Sequence, residues 1–276
     1  RLGYPPRHLP RLPTAELGGG PLALARARRA QTARVLIETT DLGYADVAFA
    51  AGFSSVRQFN QTLREVYDAS PTQLRGRRGR PSATRGTVEL RLALRTPFAA
   101  SALLDFRAHH LVQGVETVGE GWYARTLDLA FGPGTVRLDL AAAEQPEAGG
   151  TAFVPATFAL PALRDPAAAV ERTRRLLDAD CDPVAVDDHF RGDPLVGPLV
   201  RLRPGLRVPG QVDGDEVAIR AVIGQQISVA RACTLTGRLV AEHGRRVEMG
   251  VPGLTHLFPD AATLAAVDPL SLPMPR

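Results

Sequence analysis

The chain has 276 residues, 45% of them hydrophobic and 22% charged, with a formal net charge of +4 and two cysteines. That length implies two or three domains, and the absence of any run of about 18 apolar residues or of an apolar leader core excludes a membrane span and a secretory signal. Cys181 and Cys233 stand in no metal-ligand spacing, so they read as reduced thiols of a cytoplasmic protein. All 33 basic residues are Arg, so no lysine Schiff base can form. Residues 1–85 hold 14 Arg against 6 Asp and Glu, a local net of +8, and the remainder is net acidic. The basic excess thus sits at the N-terminal end, as a phosphate-binding module needs.

In chain order, Pro10 and Pro13 fall among Arg7, His8 and Arg11, where they remove donors a helix requires. Leu22–Thr39 reads as a long helix with Leu24, Ala27, Ala30, Val35 and Leu36 apolar and Arg26, Arg28, Arg29 and Arg34 around them. Tyr44, Val47, Ala48 and Ala51 recur at helical spacing and predict a short helix over Ala45–Ala51. Gly52 stops it in the left-handed conformation, Phe53 enters the core, and Ser54 caps the next helix. In that helix, Ser55–Tyr67, the residues Val56, Phe59, Leu63, Val66 and Tyr67 form one apolar stripe. Arg57, Gln58, Asn60, Gln61 and Arg64 share the opposite face. A helix, a glycine turn and a helix with Arg and amides outside is the arrangement that reads the major groove. A helical hairpin with a merely solvated polar face is the alternative. Pro71 and Leu74 suit a short closing helix, and Arg75–Gly86 is an interdomain linker.

On the run ADVAFAAGFSS and the following Phe59, residues 1–78 resemble the helix-turn-helix domain of AraC-type regulators. The resemblance implies an all-α domain that binds duplex DNA at promoter sites, with RNA polymerase as a further partner and a place on the nucleoid. It puts the DNA contacts on Ser55, Val56, Arg57, Asn60, Gln61 and Arg64 and makes Leu22–Thr39 a linker helix. Residues 1–20 resemble the damaged tail of a first helix-turn-helix, and no DNA contact is assigned to them.

After the linker at 79–86 the period changes. Val88, Leu90, Leu92 and Leu94 alternate with polar residues, so Thr87–Arg95 is a half-buried strand. Pro97 opens a helix to about His110 containing Phe98, Leu103, Leu104 and Phe106. Val112–Val118, Trp122–Phe131 and Thr135–Leu140 predict three antiparallel strands, the last two joined across Gly132–Gly134, giving an α+β domain over 87–160. His109 and His110 lack acidic or thiol partners at ligand spacing and read as surface histidines. From 161 onward the chain is helical. Asp165–Ala179 is amphipathic with Val170, Leu176 and Leu177 inward, and Asp187, Asp188 and His189 point apart, as neighbours on a helix do. Asp213 or Asp215 caps a helix to Ile223, Gly224-Gln225-Gln226 interrupts it, and a further helix runs from Ser228 to His243.

Three stretches, VETVGEGWYARTL at Val115–Leu127, RPGLRVPG at Arg203–Gly210 and RAVIGQQISVARA at Arg220–Ala232, stand in an order similar to the 3-methyladenine DNA glycosylases of type II, helix-hairpin-helix enzymes. The resemblance implies a multidomain chain. An all-α helix-turn-helix domain precedes an α+β domain (TBP-like half), and residues 161–276 start an all-α helix-hairpin-helix glycosylase domain. The implied reaction is hydrolytic removal of alkylated purines such as 3-methyladenine, with no cofactor and no metal. A purine methylated on a ring nitrogen is cationic and weakly bound to its sugar. The enzyme extrudes the nucleotide, holds the base against aromatic faces and stabilises the sugar cation with a carboxylate. By position in the motif Gln226 fills the gap in the duplex, with Gln225, Ile227 and Ser228 beside it; without the resemblance these are polar residues at a helix break. The family's phosphate-binding hairpin and catalytic Asp are not found. Val251–Leu254 imitates the start of that hairpin but lacks its second glycine. The expectation is therefore a piece of a longer protein with no catalytic residue present and no excision activity, a zinc-held methyl-phosphotriester sensor lying upstream. One alternative is an AraC-type regulator whose residues 87–276 bind a small effector and catalyse nothing; another is a decayed catalytic half kept as a structural module. The GQQIS region separates the glycosylase reading from the effector-domain one, because an effector domain does not need it.

Overall fold

Apolar side chains at helical spacing build one core before the linker, and strand alternation builds a second after it. The structure, a computed structural model, describes residues 21–39, 42–76, 87–143, 150–161 and 165–268. The chain divides into two units, Arg1–Ser82 and Ala83–Arg276.

In the first unit α1 (Pro21–Thr39), α2 (Tyr44–Ala50), α3 (Val56–Tyr67) and α4 (Pro71–Gly76) surround a core that includes Ala30, Ala33, Leu36, Ile37, Val47, Phe53, Phe59, Leu63 and Leu74. Helix α2 ends in a Schellman turn: Gly52 has φ +82°, Gly52 N donates to Phe49 O and Phe53 N to Ala48 O. That turn drops Phe53 edge-on against Phe59, 5.6 Å between ring centres. Three expectations change. Ser55, not Ser54, caps α3, its Oγ accepting from Gln58 N, because Ser55 is the last extended residue before the helix. Val66 is 46% exposed, and Thr62 takes the buried position beside Phe59 and Leu63. Ala27 is exposed, and α1 packs through Ala30, Ala33, Leu36 and Ile37. Residues 1–20 and the side chains of Leu24, Arg28 and Val35 lie outside the described residues.

The second unit is built on an antiparallel sheet in the order β1-β5-β4-β3-β2. Its strands are β1 (Thr87–Arg95), β2 (Glu116–Gly119), β3 (Trp122–Leu129), β4 (Gly132–Asp139) and β5 (Thr151–Ala159). Strand β5 is absent from the sequence reading, yet it joins β1 to β4 and buries Ala152, Val154, Ala156 and Phe158 in alternation. Its Pro155 is tolerated because pairing with β4 ends at Ala156. Helix α5 (Ala100–His109) starts three residues after Pro97, since Ala99 N donates to Gly205 O and the Pro97–Phe98 backbone lies against Gly205. Val112–Val115 is a turn rather than strand, closed by Val112 N donating to the Glu116 carboxylate. The Gly132–Gly134 run lies in β4 instead of bridging to it.

Six helices follow: α6 (Pro166–Leu176), α7 (Pro183–Arg191), α8 (Gly197–Leu202), α9 (Gly214–Ile223), α10 (Val229–His243) and α11 (Ala261–Ala265). Asp213 caps α9 and Ser228 caps α10. Val251–Leu254 forms no separate hairpin: Leu254 is buried and bridges to Gly114, and Gly253, at φ +88°, lies against Thr117. No described helix is long and apolar enough to cross a membrane.

Candidate nucleic-acid interfaces

The polar face of α3 is partly occupied by its own fold. Gln58 Oε1 accepts from Ser54 Oγ at 2.9 Å, which closes the cap. Gln61 donates to Glu65, whose other oxygen takes Arg26 of α1. The Ser55 hydroxyl serves as the cap, and Val56 packs against the core. Arg57, Asn60 and Arg64 remain, with no side-chain hydrogen bond among the described residues, lining an open groove with Tyr44 and Thr72. Two arginines of α1 stack on aromatic rings instead: Arg29 lies over the Phe53 ring and Arg34 over Tyr67. Arg57 and Arg64 are thus the basic side chains that α3 leaves open.

A second exposed polar feature lies between α9 and α10. Gly224 caps α9, its N donating to Arg220 O at 2.9 Å, and Ser228 Oγ accepts from Arg231 N. Between them Gln225 and Gln226 are exposed, and Gln226 takes a left-handed φ of +60°. Ile227 turns inward onto Ile223, Leu235 and Leu239, which anchors the tip from below. Beside it opens a cavity of about 280 Å³ lined by Phe106, His110, Val112, Arg220, Ile227 and Cys233. The Phe106 and His110 rings stack 3.9 Å apart. Burial pushes the Cys233 thiol up, which leaves it a weak nucleophile.

Below the tip lies a buried charge cycle that sequence reasoning missed. Arg125 Nη2 pairs with Glu216 at 2.6 Å, and its Nη1 stands 3.6 Å from Glu116. Arg220 Nη1 lies 3.0 Å from Glu216 and 3.3 Å from Glu116. Each carboxylate therefore sits between both guanidiniums. Arg125, Glu116 and Glu216 are at most 2% exposed. Glu116 also accepts from Tyr123 Oη at 2.6 Å and from Val112 N. Burial alone would raise the Glu116 carboxyl, but Arg125, Arg220 and these hydrogen bonds hold it below the usual carboxylate range. Burial and the Glu116 charge push the Tyr123 hydroxyl well up, so it stays protonated as a donor.

The RPGLRVPG stretch is a strap. Arg207 Nη1 donates to Cys181 O at 3.0 Å, and its Nη2 to Arg95 O. A Cβ on Gly205 would meet the Pro97 carbonyl at 2.4 Å, and one on Gly210 would meet Arg175 O at 2.0 Å, so both positions require glycine. Asp187, buried, accepts from Gly205 N at 2.9 Å and so holds the strap, while Asp188 pairs with Arg191. His109 and His110 bond carbonyls of their own helix. Among the described residues no three His, Cys, Asp or Glu side chains are placed to hold a metal.

Comparison with known proteins fits this architecture. Residues 1–77 match the model of a helix-turn-helix domain, and residues 89–213 that of the AlkA N-terminal domain. Along all of its length the chain is 47% identical to a probable bifunctional transcriptional activator/DNA repair enzyme AlkA of Mycobacterium tuberculosis, covering 55% of that protein. It is 35% identical over 187 residues to DNA-3-methyladenine glycosylase 2 of Escherichia coli, which covers 64% of this chain and 57% of that protein. The chain thus spans little more than half the length of the curated relatives it matches. A 3-methyladenine DNA-glycosylase from Archaeoglobus fulgidus shares the fold over 64% of this chain and 57% of its own, with a TM-score of 0.50 and 21% identity. Residues 1–77 are therefore a helix-turn-helix domain of the AraC type and residues 89–213 an AlkA N-terminal domain, in a chain homologous along its length to bifunctional AlkA.

Proposed function

We propose that this chain is the DNA-reading and lesion-probing part of a regulator that also repairs alkylated DNA. The first unit binds duplex DNA at promoter sites through α3, where Arg57 and Asn60 read base edges and Arg64 meets a phosphate. RNA polymerase is the further partner of this half, and the nucleoid its place of work. In the second unit the helices after residue 161 begin a glycosylase domain that hydrolyses alkylated purines such as 3-methyladenine from DNA. Gln226 enters the stack where the damaged nucleotide is extruded, its amide facing the orphaned base, with Gln225 and Ser228 beside it. The observation that carries this reading is the tip itself: two exposed amides at a helix break, one left-handed, anchored from below by Ile227.

The 276-residue polypeptide is expected to release no alkylated base, since none of its residues is assigned the carboxylate that stabilises the sugar cation. Gap insertion needs no chemistry and can be measured directly. The chain is titrated onto a random-sequence duplex with one abasic analogue and onto the same duplex intact. Wild type is expected to favour the gapped duplex about tenfold, since there Gln226 enters without a base having to be unstacked, and Gln226→Ala is expected to lose that preference, since no side chain then fills the gap or meets the unpaired base. Equal affinity of wild type for both duplexes refutes the insertion role and favours a regulator with an effector domain.

A further inference from the structure

Resting on the reading that the Gly224–Ser228 tip enters DNA, we propose that Arg220 is a positioning residue: its closed cycle with Glu116, Arg125 and Glu216 fixes the rotation and height of α9 on the sheet and so aims the tip. Two members of the cycle, Glu116 and Arg125, stand on β2 and β3, and the other two, Glu216 and Arg220, lie four residues apart on α9. Arg220 also donates from Nη2 to His110 O at 2.7 Å, at the end of α5. Helix α9 is therefore gripped from two strands and one helix end at once.

The geometry of that grip matters more than its strength. Apolar packing of Ile223 on Leu235 and Leu239 is non-directional and would tolerate a rotated helix. A slip of one residue turns an α-helix by about 100° and would carry Glu216 and Arg220 off their partners together, leaving buried Arg125 and Glu116 with only their 3.6 Å contact to each other. Buried ion pairs add little net stability over apolar packing but penalise every misaligned arrangement heavily. The cycle thus selects one register for α9. Gly224 follows Arg220 by one helical turn and hydrogen-bonds the Arg220 carbonyl directly, so the tip inherits that register.

The test is the same pair of duplexes, read as the ratio of affinities for gapped over intact DNA, with folding followed by the fluorescence of Trp122. Arg220→Gln is expected to lower the ratio about tenfold, to the level of Gln226→Ala, with a cooperative unfolding transition retained. Combining the two substitutions is expected to lower it no further, because an unaimed tip and a missing tip side chain are the same defect. Arg220→Lys keeps a cation beside Glu116 and Glu216 but lacks the planar fork that also reaches His110 O, so it should lose only about threefold. If Arg220→Gln does not fold, Arg220→Lys carries the test. A wild-type ratio in the folded variant, or equal loss on both duplexes, overturns the proposal while leaving insertion intact. A wild-type ratio in Gln226→Ala shows that the insertion reading has failed, and the positioning role fails with it.

Discussion

Arg125→Met tests the buried cycle as a structural element. Methionine fills much of the arginine stem and carries no charge, so the substitution strands the Glu216 oxygen that Arg125 meets at 2.6 Å and the Thr126 carbonyl that its Nε meets at 3.1 Å. Only Arg220 then faces the two carboxylates. Because Arg125 is 1% exposed, solvent cannot take its place. Removing one partner of a buried ion pair costs about 3–5 kcal/mol. With a urea slope of about 2–3 kcal/mol/M the unfolding midpoint should fall by between about 1 and 2.5 M. The assay is selective, because the chain has a single tryptophan, Trp122, which lies on β3 of the second unit. A shift of under about 0.3 M, less than about 1 kcal/mol at that slope, would refute the reasoning and show that the pairs behave as solvated ones.

Two further predictions follow from the same geometry. Arg57→Ala should weaken binding to the preferred site by about 1–3 kcal/mol and relax specificity there; equal weakening on specific and random duplexes in a binding titration would reduce Arg57 to a phosphate contact. Glu116 has a folded pKa below its unfolded value of about 4.3, so its contribution to stability is complete above that pH and is lost as pH falls through the folded value. Urea midpoints reported by Trp122 should therefore drop between pH 6 and about pH 3.5 more steeply in wild type than in Glu116→Gln, and parallel profiles would remove Glu116 from the acid response.

Sequence patterns reach the first unit better than the second for physical reasons. Gly52 has one cheap use at a helix end, and the spacing of Val47, Ala48, Phe59 and Leu63 is a local signal that packing follows. Ser54 and Ser55 differ only in which one is the last extended residue, which a sequence of two serines does not record. Strand β1 alternates cleanly, but in β3 Tyr123, Ala124, Arg125, Thr126 and Leu127 are all buried, so both faces are covered and no period survives. In strand β5, TAFVPATFA, Phe153 and Pro155 are apolar on the less buried face, so no apolar–polar alternation shows, and an internal proline reads against a strand. The charge cycle joins residues 91 and 104 positions apart, and an arginine in a strand reads as a solvent-facing side chain until its partner arrives from a distant helix. The one local trace of it was Glu216 and Arg220 at a spacing of four on a helix.

That distribution changes what the three characteristic stretches mean. Glu116, Tyr123 and Arg125 in the first, Gly205, Arg207 and Gly210 in the second, and Arg220 in the third are buried or pressed against backbone, and each is accounted for by what it holds together. None of them needs DNA to explain its identity. Gln226 does. A left-handed conformation costs a side chain with a Cβ about 1–2 kcal/mol, a glycine would avoid that cost, and the Gln226 amide recovers nothing through a hydrogen bond among the described residues. The caps at Gly224 and Ser228 hold the backbone in place regardless of which residue stands there. Folding therefore offers no reason for a long amide at this position, whereas in the proposed reading a gap in a base stack, with an unpaired base edge opposite, supplies both the space for its length and the partner for its amide.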